Sequence, residues 1–274
     1  MPDTESPQKP PLPGLWDKNP FAAPATPVED VPSSDRLALA ADPNKLAAGR
    51  GLAWWREGWH LFKDAPGLWI GISLMVIFIN IGFARVSIPF VGKEVYTLFF
   101  PVLNAGLMLG CHDLQSGEGL RFGHLFAGFR NHVDRLLMIG AVNIAGILAI
   151  GIMADTLGAT RPGIILLGIL LSIPLAMIIW FAPALIVLHD LTALKAMKLS
   201  FRGCLRNILP FLMYGLVFIF VFVMLVFLPF GLATLFKKYM LLLALGWAIL
   251  ILMLMSIFFC SIHVGYRDIF IGKH

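Results

Sequence analysis

Few side chains in this sequence have the chemistry for a reaction or a metal, and they recur in one setting. Cys111-His112, His189 and Cys260-x-x-His263 each close an apolar run at similar depth. Were those runs to meet, their thiolates and imidazoles would be of zinc- or copper-binding type. Cysteine and histidine are equally ordinary where an apolar helix reaches polar surroundings. That reading is preferred here, and no metal or other cofactor is expected. Aspartates stand at the same places. Asp113 and Asp190 follow His112 and His189, and Asp268 follows Tyr266-Arg267. Structural ion pairs are expected between Asp113 and Arg130 and between Asp190 and Arg202, because pairing lowers the cost of a carboxylate near the membrane.

What is missing narrows the function further. All sixteen carboxylates lie in the N-terminal tail, in linkers or at the ends of apolar runs. A proton-driven transporter needs an ionisable group at depth, so that class is disfavoured. No P-loop, Rossmann glycine pattern, G-x-S-x-G or H-E-x-x-H occurs. An enzyme would have to work at the membrane interface with its His-Asp pairs facing an open pocket, and a non-enzymatic protein is expected. Inside the apolar runs, Asn80, Asn104 and Asn143 occupy three different segments. They could line one polar path, but such residues more often hydrogen-bond across helices and fix packing. Pro174 and Pro183 imply a kink in the fourth run.

These residues must be positioned by helices in lipid. The chain is 58% hydrophobic and 14% charged, where soluble domains carry about 25% charged residues. A span needs about 20 apolar residues. Six segments qualify or nearly so, at about 67–84, 95–111, 136–154, 163–188, 208–228 and 240–263; the second is short and expected to stand upright. Arg85 to Glu94, Asp155 to Pro162 and Pro229 to Tyr239 read as tight connections. The expected fold is all-α and polytopic.

Lysine and arginine counts set the orientation. One side carries thirteen: Lys45, Arg50, Arg56, Lys63, Arg121, Arg130, Arg135, Lys195, Lys198, Arg202, Arg206, Arg267 and Lys273. The other carries five: Arg85, Lys93, Arg161, Lys237 and Lys238. Both termini are therefore expected in the cytoplasm of a bacterial cell, with a multi-pass domain in the inner membrane. A reducing compartment then holds all three cysteines, and no disulfide framework is expected.

Residues 1–44 contain ten of the eighteen prolines, and three cations against seven carboxylates, a balance of −4. They read as a disordered acidic cytoplasmic tail preceding a membrane domain over 45–274. Within the tail, Leu15-Trp16 and Asn19-Pro20-Phe21 (residues 15–21) are isolated apolar points for a possible protein partner. The remaining +9 lies beside membrane spans, which points to anionic lipid and not to nucleic acid.

Two polar linkers have helical periodicity. Asp42-Pro43 has the form of a helix start, followed by Leu52, Trp55, Trp59 and Phe62 on one face and Arg50, Arg56 and Lys63 on the other. Leu191, Leu194, Met197, Phe201 and Leu205 make the second apolar face, opposite Lys195, Lys198, Arg202 and Arg206. Both have the composition of helices lying in the headgroup layer. Arg56, Lys63, Lys195, Lys198, Arg202 and Arg206 are the expected headgroup contacts.

The pattern repeats. Asp113, Asp190 and Asp268 lie 77 and 78 residues apart, and Gly58-Trp59, Gly128-Phe129-Arg130 and Ser200-Phe201-Arg202 each set a small residue before an aromatic. The chain reads as three parallel copies of an amphipathic helix plus a helical hairpin.

WFAPALIVLHDL (180–191), followed by ALKAMKLSFRGCLRNILPFLMYGL (193–216), resembles the signature of an uncharacterised family of six-span proteobacterial inner-membrane proteins. GLWIGI, FFPVLNAGLMLGCHDL, GHLFAGFR and the terminal GYRDIF match the same family in order, over roughly 50–270. The AMKLSF linker alone is more distantly similar to membrane domains attached to some glycerophosphodiester phosphodiesterases, whose catalytic domain has no counterpart here. The nearer resemblance implies fold and location without an activity. The expected role is an envelope- or lipid-related scaffold or interaction component, and the alternative is a transporter or lipid-translocating conduit without proton-coupling carboxylates.

Overall fold

Nearly every backbone group in the apolar segments must be satisfied within its own segment once water is excluded, and helices do this. A computed structural model describes residues 38–272 except 86–91, 131, 159–160 and 236–238. Over these residues the chain runs α1 (Arg50–Lys63), α2 (Pro66–Ala84), α3 (Gly92–Gln115), a 3-10 helix (Phe122–Phe129), α4 (Val133–Leu157), α5 (Pro162–Ile179), α6 (Ala182–His189), α7 (Ala193–Arg206), α8 (Ile208–Leu235) and α9 (Met240–Phe270). Among the described residues, six segments are long and apolar enough to cross a bilayer: Pro66–Ala84, Glu94–Gln115, Val133–Leu157, Pro162–His189, Ile208–Phe227 and Leu241–Phe270.

Several expected bounds move. The second span is not short, since α3 continues to Gln115 through Pro101. α8 passes Pro229 to reach Leu235, and α9 extends to Phe270 with its terminal Tyr266-Arg267-Asp268 inside the helix. The fourth span is broken as well as kinked. Pro183, in the first turn of α6, cannot donate a helical hydrogen bond, so α5 stops at Ile179 and α6 restarts at Ala182.

α1, α7 and the 3-10 helix gather at one end of the bundle, here termed the linker end. The packed core lies toward that end: Val102, Met108, Phe181, Leu185, Tyr266 and Phe270 are all nearly inaccessible. Away from it, Ile152, Leu166, Phe220, Phe227 and Leu241 are more than half exposed. In a bilayer such side chains meet acyl chains at no hydrophobic cost. Polar side chains inside the spans join helices. Ser73 Oγ lies 2.8 Å from Ser256 Oγ, which also bonds the Trp69 carbonyl, and Tyr214 and Ser261 share a 2.7 Å bond.

The first linker begins later than expected. Asp42-Pro43 does not start a helix; α1 starts at Arg50 after Gly49, with no side-chain cap. Residues 38–44, expected within the tail, instead lie along the end of α9. Ala40 N donates to Phe270 O at 2.8 Å and Asn44 N to Ile269 O at 2.7 Å. Asn44 Nδ2 donates to both Asp268 O and Ile271 O. These bonds satisfy carbonyls that a helix C-terminus leaves open. The tail motif at residues 15–21 lies outside the described residues.

Candidate lipid-headgroup interface

α7 is built in three faces. Ala193, Ala196, Met197, Ser200, Gly203 and Cys204 are buried against the bundle. Leu194 and Leu205 are 57% and 51% exposed. Lys195, Lys198, Arg202 and Arg206 are exposed on the side away from the bundle. The packed face is therefore the small-residue face. The expected apolar face (Leu191, Leu194, Met197, Phe201 and Leu205) contributes only Met197 to the buried set. Small residues let backbones approach closely, whereas large apolar side chains are as well placed in lipid.

Ser200 shows why α7 sits where it does. Its Oγ accepts from Phe181 N at 3.1 Å and donates to Met177 O at 2.7 Å. Phe181 and Met177 are four residues apart, so the hydroxyl is inserted into the helical ladder at the α5–α6 break. At the other end of α7, buried Asn207 donates to Gly203 O and Asn44 O and accepts from Leu46 N. Burial beside these groups pushes the Cys204 thiol up to about 12, which keeps it neutral.

α1 repeats the order of faces. Gly51, Trp54, Gly58, Leu61 and Phe62 are buried. Leu52 and Trp59 are exposed, and Arg56 and Lys63 lie beyond them. Lys63 Nζ stands 6.0 Å over the Trp59 ring. α1 also has an ionic side turned to α9. Arg50 Nε donates to Asp268 at 2.7 Å, its Nη1 to Glu57 at 2.9 Å, and Trp54 Nε1 to Asp268 at 2.8 Å. Burial works against the Arg50 charge, but the bonds to Glu57 and Asp268 outweigh it and hold the guanidinium above its ordinary value. The same side of α1 borders a cleft of about 490 Å³, lined by Glu57, His60, Asp64, Gln115, Arg267 and Asp268 among others.

The expected ion pairs form with different partners. Asp113 pairs with His124 at 2.9 Å, not Arg130, because the 3-10 helix folds directly under α3. Asp190 pairs with Arg135 at 2.6 Å and His132 at 3.5 Å, not Arg202. Arg202 lies on the far side of α7, where it and Arg206 share Asp42 at 3.2 and 3.3 Å. Asp190 and His132 both adopt left-handed backbone, φ 55° and 61°.

The sulfur and imidazole groups find different partners. Cys111 and Cys260 are buried neighbours. His189 bonds Tyr266, and His263 Nε2 lies 3.2 Å from Gln115 Oε1. His112 is half-buried on the last turn of α3. Among the described residues, no three His, Cys, Asp or Glu side chains are placed to hold a metal. Of the asparagines, Asn80 is exposed and lies beside Tyr96, Asn143 is half-buried, and Asn104 is buried.

Three residues that organise the interface were not singled out from sequence. In the sequence Asp42 has the form of a helix cap in an acidic tail; Asn44 and Asn207 carry no signal beyond their position between polar and apolar stretches.

Against known proteins, the chain is 28% identical over 261 residues to a protein of Burkholderia thailandensis named as a probable inner membrane protein, covering 82% of this chain and 93% of that one. No family model matches the chain, so the likeness of AMKLSF to phosphodiesterase membrane domains remains one of motif alone. No solved structure matches. Taken with six apolar helices, the relative makes this chain a multi-pass integral inner-membrane protein.

Proposed function

We propose that this is a non-enzymatic inner-membrane component, with a scaffolding or interaction role in envelope or lipid homeostasis, that engages anionic lipid through its linker helices. The observation that carries this reading is the shared order of faces on α1 and α7: buried small or aromatic residues, then exposed apolar residues, then exposed cations. That order suits a helix lying in the headgroup layer against a bundle. The linker end and both termini are read as cytoplasmic, supported by the thirteen-to-five distribution of Lys and Arg.

The bundle is read as three parallel repeats. Packing supports this, since each linker sets a small residue on an even-numbered span. A Cβ on Gly58 would lie 2.8 Å from Ser261 N in α9, and one on Gly128 would lie 2.2 Å from Val102 O in α3. Ser200 takes the equivalent place between Met177 and Phe181. The first linker closes on the last span, as a ring of three repeats requires. Residues 15–21 of the tail serve a cytoplasmic protein partner.

The test is a deletion strain examined by lipidomics, alongside pull-downs with the full chain and with a chain lacking residues 1–44. An altered anionic-lipid profile in the deletion strain, with a partner captured only by the full chain, is expected. An unaltered profile, with purified protein showing no preference for anionic over zwitterionic lipid, overturns the lipid reading. Identical captures by both chains overturn the tail reading.

A further inference from the structure

Residues 38–44 form a strap at the linker end that is fixed on both sides of Asp42. Before it, Ala40 N donates to Phe270 O and Gly272 N donates to Ala38 O. After it, Asn44 Nδ2 donates to two carbonyls at the end of α9, and Asn44 O accepts from Asn207 Nδ2 at 2.8 Å. Pro43 is buried, and a proline steers the residue before it away from helical backbone. The fold therefore sets where the Asp42 carboxylate stands, although that side chain is 55% exposed.

The carboxylate bridges two arginines of α7. Arg202 takes Oδ1 at 3.2 Å, and Arg206, one turn further on, takes Oδ2 at 3.3 Å. A phosphodiester likewise offers two free oxygens and one negative charge, and arginine recognises carboxylate and phosphate with the same planar fork. Exposed pairs of this kind add little to stability. Among the described residues, Lys195 and Lys198 on the same helix have no ion pair. Four exposed cations thus meet one carboxylate, and that carboxylate is placed by a strap bonded to α9.

We propose that Asp42 is a built-in stand-in for the phosphate of an anionic phospholipid, so that strap and headgroup compete for Arg202 and Arg206. The proposal rests on the anionic-lipid reading above and deepens it, by naming the two residues that hold the phosphate and the one that holds them back. Linkage makes the competition reciprocal: lipid on the arginines releases Asp42, and loss of Asp42 strengthens lipid binding.

The test is native mass spectrometry with phosphatidylglycerol, phosphatidylethanolamine or soluble glycerol 3-phosphate at equal concentration. Four forms of the full chain are compared: wild type, Asp42→Asn, R202Q/R206Q, and the three changes combined. Thermal melting checks that each is folded. Wild type is expected to retain phosphatidylglycerol over the other two. Asp42→Asn should raise that retention about threefold to fivefold, and R202Q/R206Q should lower it about tenfold or more. In the combined variant Asp42→Asn should add nothing, because the groups it frees are gone. A gain that persists without the arginines makes Asp42 a general surface charge and overturns the proposal. A preference for phosphatidylglycerol that survives R202Q/R206Q places the lipid elsewhere and overturns it as well. A preference lost with the arginines but unmoved by Asp42→Asn overturns the competition and leaves the lipid reading intact. Equal retention of glycerol 3-phosphate assigns the arginines to a soluble phosphate and overturns the lipid as occupant. No preference in either wild type or Asp42→Asn overturns both readings.

Discussion

α1 and α7 occupy comparable places at the linker end, yet different forces hold them. α1 is pinned through charge and close backbone contact. Arg50 and Trp54 converge on Asp268, and a Cβ on Gly51 would lie 2.0 Å from Pro210 O. α7 is seated through small residues and neutral hydrogen bonds, at Ser200 and Asn207, and a Cβ on Gly203 would meet the Phe270 ring. The difference decides what is left over. α1 directs Arg50 inward, whereas all four of α7's cations stay outside. A linker anchored by its small residues keeps its charges for something else.

The largest expected effect tests the two seats. Gly51→Ala forces a methyl group onto backbone that cannot move aside. Overpacking of this kind costs about 3 kcal/mol, offset by about 1 kcal/mol of helix propensity. Gly203→Ala meets the tip of the buried Phe270 ring at 2.4 Å, a side chain that must swing aside but is not backbone, and about 1 kcal/mol is expected. Thermal unfolding in detergent should show the larger drop for Gly51→Ala. Equal drops would mean that α7 is held as rigidly as α1.

Next come the ionic contacts. Asp268→Ala leaves the Trp54 indole without its acceptor and Arg50 with Glu57 alone, a loss of about 2 kcal/mol. Asp42→Ala removes two exposed pairs, for which about 0.5 kcal/mol is expected. The same melting experiment reads both, and a larger loss at Asp42 would remove the distinction between a structural carboxylate and a competing one. Ser200→Ala is intermediate, at about 1 kcal/mol, because Phe181 N and Met177 O lose the hydroxyl between them. Rescue by Ser200→Thr, which restores the hydroxyl, would separate this bond from simple loss of volume.

The sequence was most informative where hydropathy alone decides. Six spans and the positions of both basic linkers follow from long apolar runs and from cation spacing. It was least informative about partners. Arg130 is the linker cation expected for Asp113, yet His124 takes that place. Arg202 lies twelve residues from Asp190 but faces away from it, toward Asp42 at a sequence distance of 160 residues. Spacing along an element gives reach, not direction after folding. The packed face of α7 shows a second limit. In water Leu194 and Leu205 would mark the interior, but in a membrane large apolar residues suit lipid and protein equally. Close contact is reported instead by Ala196, Ser200, Gly203 and Cys204.

The smallest expected effect is the most direct probe of what α7's surplus charge is for. Asp42→Asn removes the one carboxylate shared by Arg202 and Arg206 while keeping a side chain of the same shape. Stability should scarcely change, since both pairs are exposed. Charge near an anionic surface is worth about 1 kcal/mol per residue, so freeing these arginines should raise phosphatidylglycerol retention about threefold to fivefold. The matching change on α1, Glu57→Gln, loosens Arg50 while Asp268 continues to hold it, and should leave retention unchanged. A rise with Glu57→Gln as large as that with Asp42→Asn would show that general surface charge controls lipid binding, and that the two linkers do not divide structural and recognition roles between them.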